Sequence, residues 1–185
     1  MRPHLLGIDD GPVEIRTGGA AEIVGVMMEA ADLVEAVAVT RFPIDGEAVT
    51  EFLGAWVLGL RLRPALQGIV LGGITIAGLG IIDLGALAAR TGLPVLAVSR
   101  RDPRAHRLGD ALRAAGLESR LAIVERTPHA FAIERGVYLA CAGVDPVQAA
   151  GLARASTGKA DLPEPLRLAH MVARAIVTGE SRGRA

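Results

Sequence analysis

Asp9 and Asp10 follow a short apolar run, Leu5 to Ile8, and lead directly into Gly11-Pro12. A strand that empties two carboxylates into a turn holds anionic oxygens at the rim of a sheet on a rigid backbone, a placement that suits a divalent cation. Mg²⁺ favours oxygen ligands and needs only one or two from protein where phosphate supplies others. The same four residues also make an ordinary turn. Asp45, in Ile44-Asp45-Gly46-Glu47, closes a later β-branched run in the same way, and reads equally as the N-cap of the next helix. Asp83 opens a helix, with capping as its plain role and a metal ligand as the alternative.

Arg100 and Arg101 follow the apolar run ending at Val98-Ser99, with Arg104, Arg107 and Arg113 close behind. Guanidinium groups clamp phosphate oxygens in pairs, so arginines at a strand end suit a nucleic-acid backbone, and a solvated helix is the competing reading. The glycine-rich stretch Gly72 to Gly80 has neither the Gly-Lys-Ser/Thr of a phosphate loop nor the dinucleotide fingerprint. It fits a backbone that lets a substrate approach closely, with Gly72 and Gly73 at its start. The four histidines show no metal-ligand spacing on one helix face, and His170, in an otherwise apolar helix, reads as a hydrogen-bonded core residue. Cys141 lies in an apolar strand and reads as buried and inert. As the sole cysteine it also excludes an intramolecular disulfide.

The elements that must position these groups alternate. Leu5 to Ile8 is a strand, and Glu22–Glu29 with Leu33–Phe42 forms a hairpin. Val49, Phe52, Leu53, Trp56, Val57 and Leu60 follow the three-four spacing of a helix from Ala48 to Arg63, stopped by Pro64. A strand at Gly68–Leu71, a helix at Asp83–Thr91 and a strand at Leu93–Val98 make a crossover with parallel strands. A helix from Pro103 to Gly116, strands at Leu121–Val124 and Val137–Ala142, a helix capped by Asp145-Pro146 and running to Ala155, and a last helix from Pro165 to Val177 complete the reading. Residues 1–185 are expected to form a single mixed α/β domain, with 179–185 a mobile tail.

The chain has 20 basic and 20 acidic side chains and no formal net charge, which excludes binding to a polyanion by bulk electrostatics and leaves local patches. The zero is a cancellation: residues 1–90 carry −5 and the remainder +5. No apolar stretch is long enough to span a bilayer and the N-terminus is not a signal peptide, so a cytoplasmic protein with no membrane partner is expected.

Leu6-Gly7-Ile8-Asp9-Asp10-Gly11-Pro12, Gly73-Ile74-Thr75-Ile76-Ala77-Gly78, Thr91-Gly92-Leu93-Pro94-Val95, Pro163-Glu164-Pro165-Leu166-Arg167-Leu168-Ala169-His170 and the ending Gly179-Glu180-Ser181 occur in an order that resembles the endonuclease dU family, a largely archaeal group related to endonuclease V. The resemblance covers essentially the whole chain. It implies a ribonuclease H-like mixed sheet flanked by helices, and a Mg²⁺-dependent endonuclease, with Mn²⁺ as a substitute, acting in DNA repair on deaminated bases such as deoxyuridine. By the same resemblance Asp9 and Asp45 fall at catalytic, metal-holding positions and Arg100 at a phosphate-contacting one. The chain departs from endonuclease V at Gly72-Gly73, where a third carboxylate is expected, and near Gly143, where a histidine is expected; Asp10 or Asp83 would have to stand in. A nucleic-acid-binding protein lacking a complete metal site is the alternative these departures leave.

Overall fold

Leu5, Leu6 and Ile8 are almost wholly buried, so the first strand, β1 (His4–Asp10), has apolar contacts on both faces and sits inside a sheet. Central parallel strands read as continuous apolar runs for this reason. The computed structural model describes residues 2–13, 19–100, 107–134 and 136–181. β2 (Ala20–Glu29) and β3 (Leu33–Pro43) form the expected hairpin, and β2 runs antiparallel to β1. α1 (Val49–Gly59) then leads through a 3₁₀ turn at Arg63–Ala65 into β4 (Gly68–Leu71). The helix expected up to Arg63 ends four residues earlier, because Leu60 is already extended, and the 3₁₀ turn absorbs Pro64.

The glycine-rich stretch folds into a two-stranded hairpin, β5 (Thr75–Ile76) and β6 (Gly80–Ile81). Its turn residues Ala77 and Gly78 both have positive φ, which glycine tolerates and alanine does not readily. α2 (Leu84–Thr91) crosses to β7 (Val95–Ser99), parallel to β4. α3 (Leu108–Ala114) and α4 (Leu121–Arg126) follow, then β8 (Phe131–Glu134), β9 (Val137–Ala142), α5 (Pro146–Ala155) and α6 (Glu164–Thr178). Among the described residues the large sheet has the order β3-β2-β1-β4-β7-β9-β8, with β1, β4 and β7 parallel and the outer strands antiparallel.

One expected strand is a helix. Leu121–Val124 enters directly from a 3₁₀ turn at Glu118–Arg120 and forms the first part of α4. Four apolar residues cannot be assigned by periodicity, and the place beside β9 is taken by β8, whose four residues carry a weak alternation. The helix expected from Pro103 is α3, which begins at Leu108; residues 101–106 lie outside the described residues.

Two faces of the sheet are covered differently. Leu6, Ile8, Ile69 and Leu71 pack with α1 and α2 residues such as Leu53, Val57 and Leu87. Leu5, Val70, Leu96 and Val98 pack with Ala149 and Ala153 of α5 and Leu166 of α6, while Ala169 and Ala173 of α6 cover Val24, Val26 and Met28 of β2. Gly7 lets α6 come this close: a β-carbon there would lie 2.1 Å from the Pro165 carbonyl carbon. Any side chain at position 7 would push α6 off β1.

Candidate functional site

The pairings Ile8 with Leu71 and Leu71 with Ala97 bring the carboxyl ends of β1, β4 and β7 level. Beyond those ends opens a cleft of about 1220 Å³, at the edge where open α/β sheets bind ligands. Asp9, Gly72, Ser99, Arg100, His129 and His170 all line it.

Asp9 is the carboxylate that enters. Along β1 the side chains alternate, and Asp9 emerges on the face that carries α6. Two residues of strand beyond Gly7 advance about 6.6 Å, and four residues of helix beyond Leu166 about 6 Å. The close approach of α6 at Gly7 therefore brings His170 over Asp9, and the His170 Nδ1 to Asp9 Oδ2 distance is 2.8 Å. With the carboxylate as acceptor, Nδ1 is the donor. Asp9 and His170 side chains keep 21% and 33% of their exposure, enough for contact with a bound molecule. The hydrogen bond to Asp9 raises the His170 pKa above its usual value; partial burial opposes this and the Asp9 charge adds to it. His170 is thus not the core residue expected from its helix, because it lies one position beyond the buried stripe of Leu166, Ala169 and Ala173.

Asp10 leaves on the other face. Its Oδ2 accepts the Ala77 amide at 2.9 Å, tying β1 to the β5–β6 turn. Burial, then the neighbouring Asp9 charge, push its pKa up to about 6, against the lowering effect of amide hydrogen bonds. Asp45, in a left-handed conformation, does not cap α1, whose N-cap is Ala48; its Oδ1 accepts the Leu79 amide at 2.7 Å on the far side of the same turn. Asp83 caps α2 by accepting the Ala86 amide at 3.0 Å and pairs with Arg126 at 2.7 Å. Burial alone would raise its pKa, but that amide and Arg126 hold it below the usual carboxylate value. The cleft's lining thus includes Asp9 and not Asp10, Asp45 or Asp83. Among the described residues no three His, Cys, Asp or Glu side chains come together as a metal-binding group.

Gly72 and Gly73 line the cleft, with Gly72 beside Asp9. Arg100, at the end of β7, lines it while its guanidinium lies 3.8 Å from Asp161. Arg101 lies outside the described residues. His129 and Arg120 were not singled out from sequence, and Arg107 only as one of a run of arginines. His129, exposed after α4, and Arg107, paired with Asp110 at 3.2 Å, add positive or protonatable edges. Arg120 is buried at 8% exposure and donates to the carbonyls of Leu79 at 2.6 Å, Asp45 at 2.6 Å and Gly46 at 3.2 Å. Carbonyl partners leave no charge pattern in the sequence. Cys141 is half-buried, with burial, then Asp145, raising its pKa, so the thiolate is disfavoured.

The mixed sheet flanked by helices is similar in fold to structures of endonuclease V. The structure of the Ciona intestinalis enzyme, in complex with a 24mer DNA containing an inosine followed by a ribo-adenosine, is similar with a TM-score of 0.60 over 96% of this chain and 87% of that one, at 14% identity. A crystal structure of a protein of unknown function from Archaeoglobus fulgidus is similar with a TM-score of 0.87 and 33% identity, covering 96% of this chain and 100% of the other. A UPF0215 protein of Methanothermobacter thermautotrophicus is 36% identical, over 98% of this chain and 91% of its own length. The family model for Endonuclease dU matches residues 2–177. The chain belongs to the Endonuclease dU family. Among the described residues no helix is long and apolar enough to cross a membrane.

Proposed function

We propose that the protein is an endonuclease that hydrolyses nucleic-acid phosphodiester bonds with the help of Mg²⁺, or Mn²⁺ in its place, and acts in DNA repair at deaminated bases such as deoxyuridine. The observation that carries this reading is Asp9, set at the carboxyl end of β1, inside the cleft and oriented by His170. Family membership and the endonuclease V fold support it.

The donor set fits one ion shared with substrate rather than a centre built by protein alone. Asp9 has one oxygen on His170 and one left over, whereas Asp10, Asp45 and Asp83, none of which lines the cleft, each give an oxygen to a backbone amide. Mg²⁺ commonly accepts such an arrangement, with one or two carboxylates completed by phosphate and water. When bound, the ion supplies Lewis acidity at the phosphoryl oxygen and lowers the pKa of water. Asp9 holds and orients it, and His170 fixes the Asp9 carboxylate. Arg100 offsets charge that develops on the phosphate. An altered base turned out of the stack would meet the backbone of Gly72, Gly73 and Gly78, which line the cleft without side chains.

Incision of a deoxyuridine-containing oligonucleotide in Mg²⁺ or Mn²⁺ tests this reading, with Asp9→Ala as the comparison. Metal-dependent cutting that Asp9→Ala lowers by about a hundredfold or more is expected; equal cutting by both proteins overturns it. Gly72 favours a second reading, a nucleic-acid-binding protein that no longer cuts. That reading predicts salt-sensitive binding, weakened by Arg100→Ala, without incision in any metal.

A further inference from the structure

We propose that this protein does not load a divalent cation by itself and takes one up only together with a nucleic-acid phosphate, because the second carboxylate seat in its cleft is Gly72. The inference rests on the metal-dependent reading and specifies its order of assembly.

Neither backbone nor packing requires glycine at position 72. Its φ is not in the left-handed region, unlike that of Gly73 at +114°. A β-carbon added there would lie 3.6 Å from Asp9 Oδ1 and 3.8 Å from Leu166 Cδ1, both ordinary contacts. The pairing of Ile8 with Leu71 places the position level with Asp9. A carboxylate at 72 would therefore stand beside the Asp9 oxygen that His170 does not use. Glycine leaves that oxygen alone.

Among the described lining residues Asp9 is the sole acid, and it shares the cleft with Arg100, Arg107, His129 and His170. Asp161 and Asp110 pair with the two arginines, so the cleft is not strongly cationic, but it offers a free dication one carboxylate with basic groups around it. Mg²⁺ sheds water reluctantly, and a single carboxylate compensates little of that cost. A phosphate entering beside Arg100 supplies the missing anionic oxygens. Cation and nucleic acid then strengthen each other's binding by the same factor, as linkage requires; couplings of this kind are typically about 5- to 150-fold.

Mn²⁺ electron paramagnetic resonance reads bound ion directly. It would be recorded on the protein alone, on a deoxyuridine oligonucleotide with phosphorothioate linkages alone, on the two together, and on Gly72→Asp alone. The expected pattern is negligible uptake by the wild-type protein at about 1 mM Mn²⁺, uptake by the complex at least about tenfold tighter than by either component, and uptake by Gly72→Asp without nucleic acid. Wild-type protein that binds Mn²⁺ equally well with and without oligonucleotide overturns the inference and leaves the metal-dependent reading standing. A complex that forms, as anisotropy of a labelled oligonucleotide shows, yet takes up no Mn²⁺ overturns both. A Gly72→Asp protein that is folded by circular dichroism and binds no Mn²⁺ removes Gly72 as the vacated seat; should that variant not fold, the wild-type comparison alone decides the coupling.

Discussion

Asp9 and Asp10 are neighbours in the chain and belong to opposite sides of the molecule. Asp9 enters the cleft, where His170 orients it and its remaining oxygen meets the space above Gly72. Asp10 turns to the α1–α2 side and spends itself on the Ala77 amide. One residue of strand separates a group available for chemistry from a group that holds a turn in place. Identical side chains acquire different roles because successive side chains of a strand point to opposite faces of the sheet, and only one of those faces looks into the cleft. The same division runs through the other acids: Asp45 braces the β5–β6 turn and Asp83 caps α2.

The sharpest way to break this comparison is to neutralise each aspartate in turn without changing its shape. Asp9→Asn should lower incision of a deoxyuridine oligonucleotide by about a hundredfold or more. Asp10→Asn should change it by less than about tenfold, because Asn still offers an acceptor to the Ala77 amide. Equal losses in the two variants, measured as single-turnover rates, would mean that both aspartates serve the cleft.

Arg120 should carry the next largest effect, and it falls on the bracing side. Its guanidinium holds the carbonyls of Leu79, Asp45 and Gly46, so Arg120→Leu would leave partly buried acceptors without donors. A loss of about 2–4 kcal/mol in urea unfolding is expected, together with faster amide exchange in residues 75–81. Unchanged exchange there would separate Arg120 from the turn that forms the cleft wall.

How much of this was legible in the sequence follows the same division. The hairpin of β2 and β3, the parallel β4–α2–β7 crossover and the caps at Asp83 and Asp145 rest on local signals, namely β-branched runs, a helical repeat and residues that bind their own backbone. Asp9 was visible as a strand-end acid. Its partner His170 was not, since their 2.8 Å contact joins residues 161 apart and depends on Gly7 admitting α6. Asp45 and Asp10 looked equivalent to Asp9 because nothing in the sequence says that the amides of Leu79 and Ala77 will reach them. Leu121–Val124 misled for a related reason: which short apolar run joins a sheet edge is decided by the neighbouring strand, not by the run.

Asp10 also gives the comparison a signature in pH. Its raised pKa means that the folded protein keeps a proton up to about pH 6, where the unfolded chain has already lost it near the ordinary carboxylate value of 3.8. The folded state therefore binds more protons over that interval, and stability falls as pH rises through it, then levels off above about 6. Asp10→Asn, which cannot ionise, should remove the fall and stabilise the protein at pH 7 by about 1–2 kcal/mol, discounted for partial exposure. Urea midpoints between pH 4 and 7.5 measure it; a variant less stable than wild type at pH 7 would show that the charged form is the one the Ala77 amide needs.

The smallest effect is expected at Asp83, the acid furthest in role from Asp9. Its carboxylate caps α2 and meets Arg126, whose side chain is 56% exposed, so the ion pair adds little and the cap dominates. Asp83→Ala should cost about 1 kcal/mol, and Asp83→Ser, which can still accept the Ala86 amide, should recover most of it. The lowered pKa sets the sign of its pH dependence: the contribution is present above the unfolded carboxyl value and is lost as pH falls through the folded one. Neither variant should alter incision. A selective loss of cutting in Asp83→Ser, with thermal stability retained, would move this acid from the bracing side of the molecule to the side of Asp9.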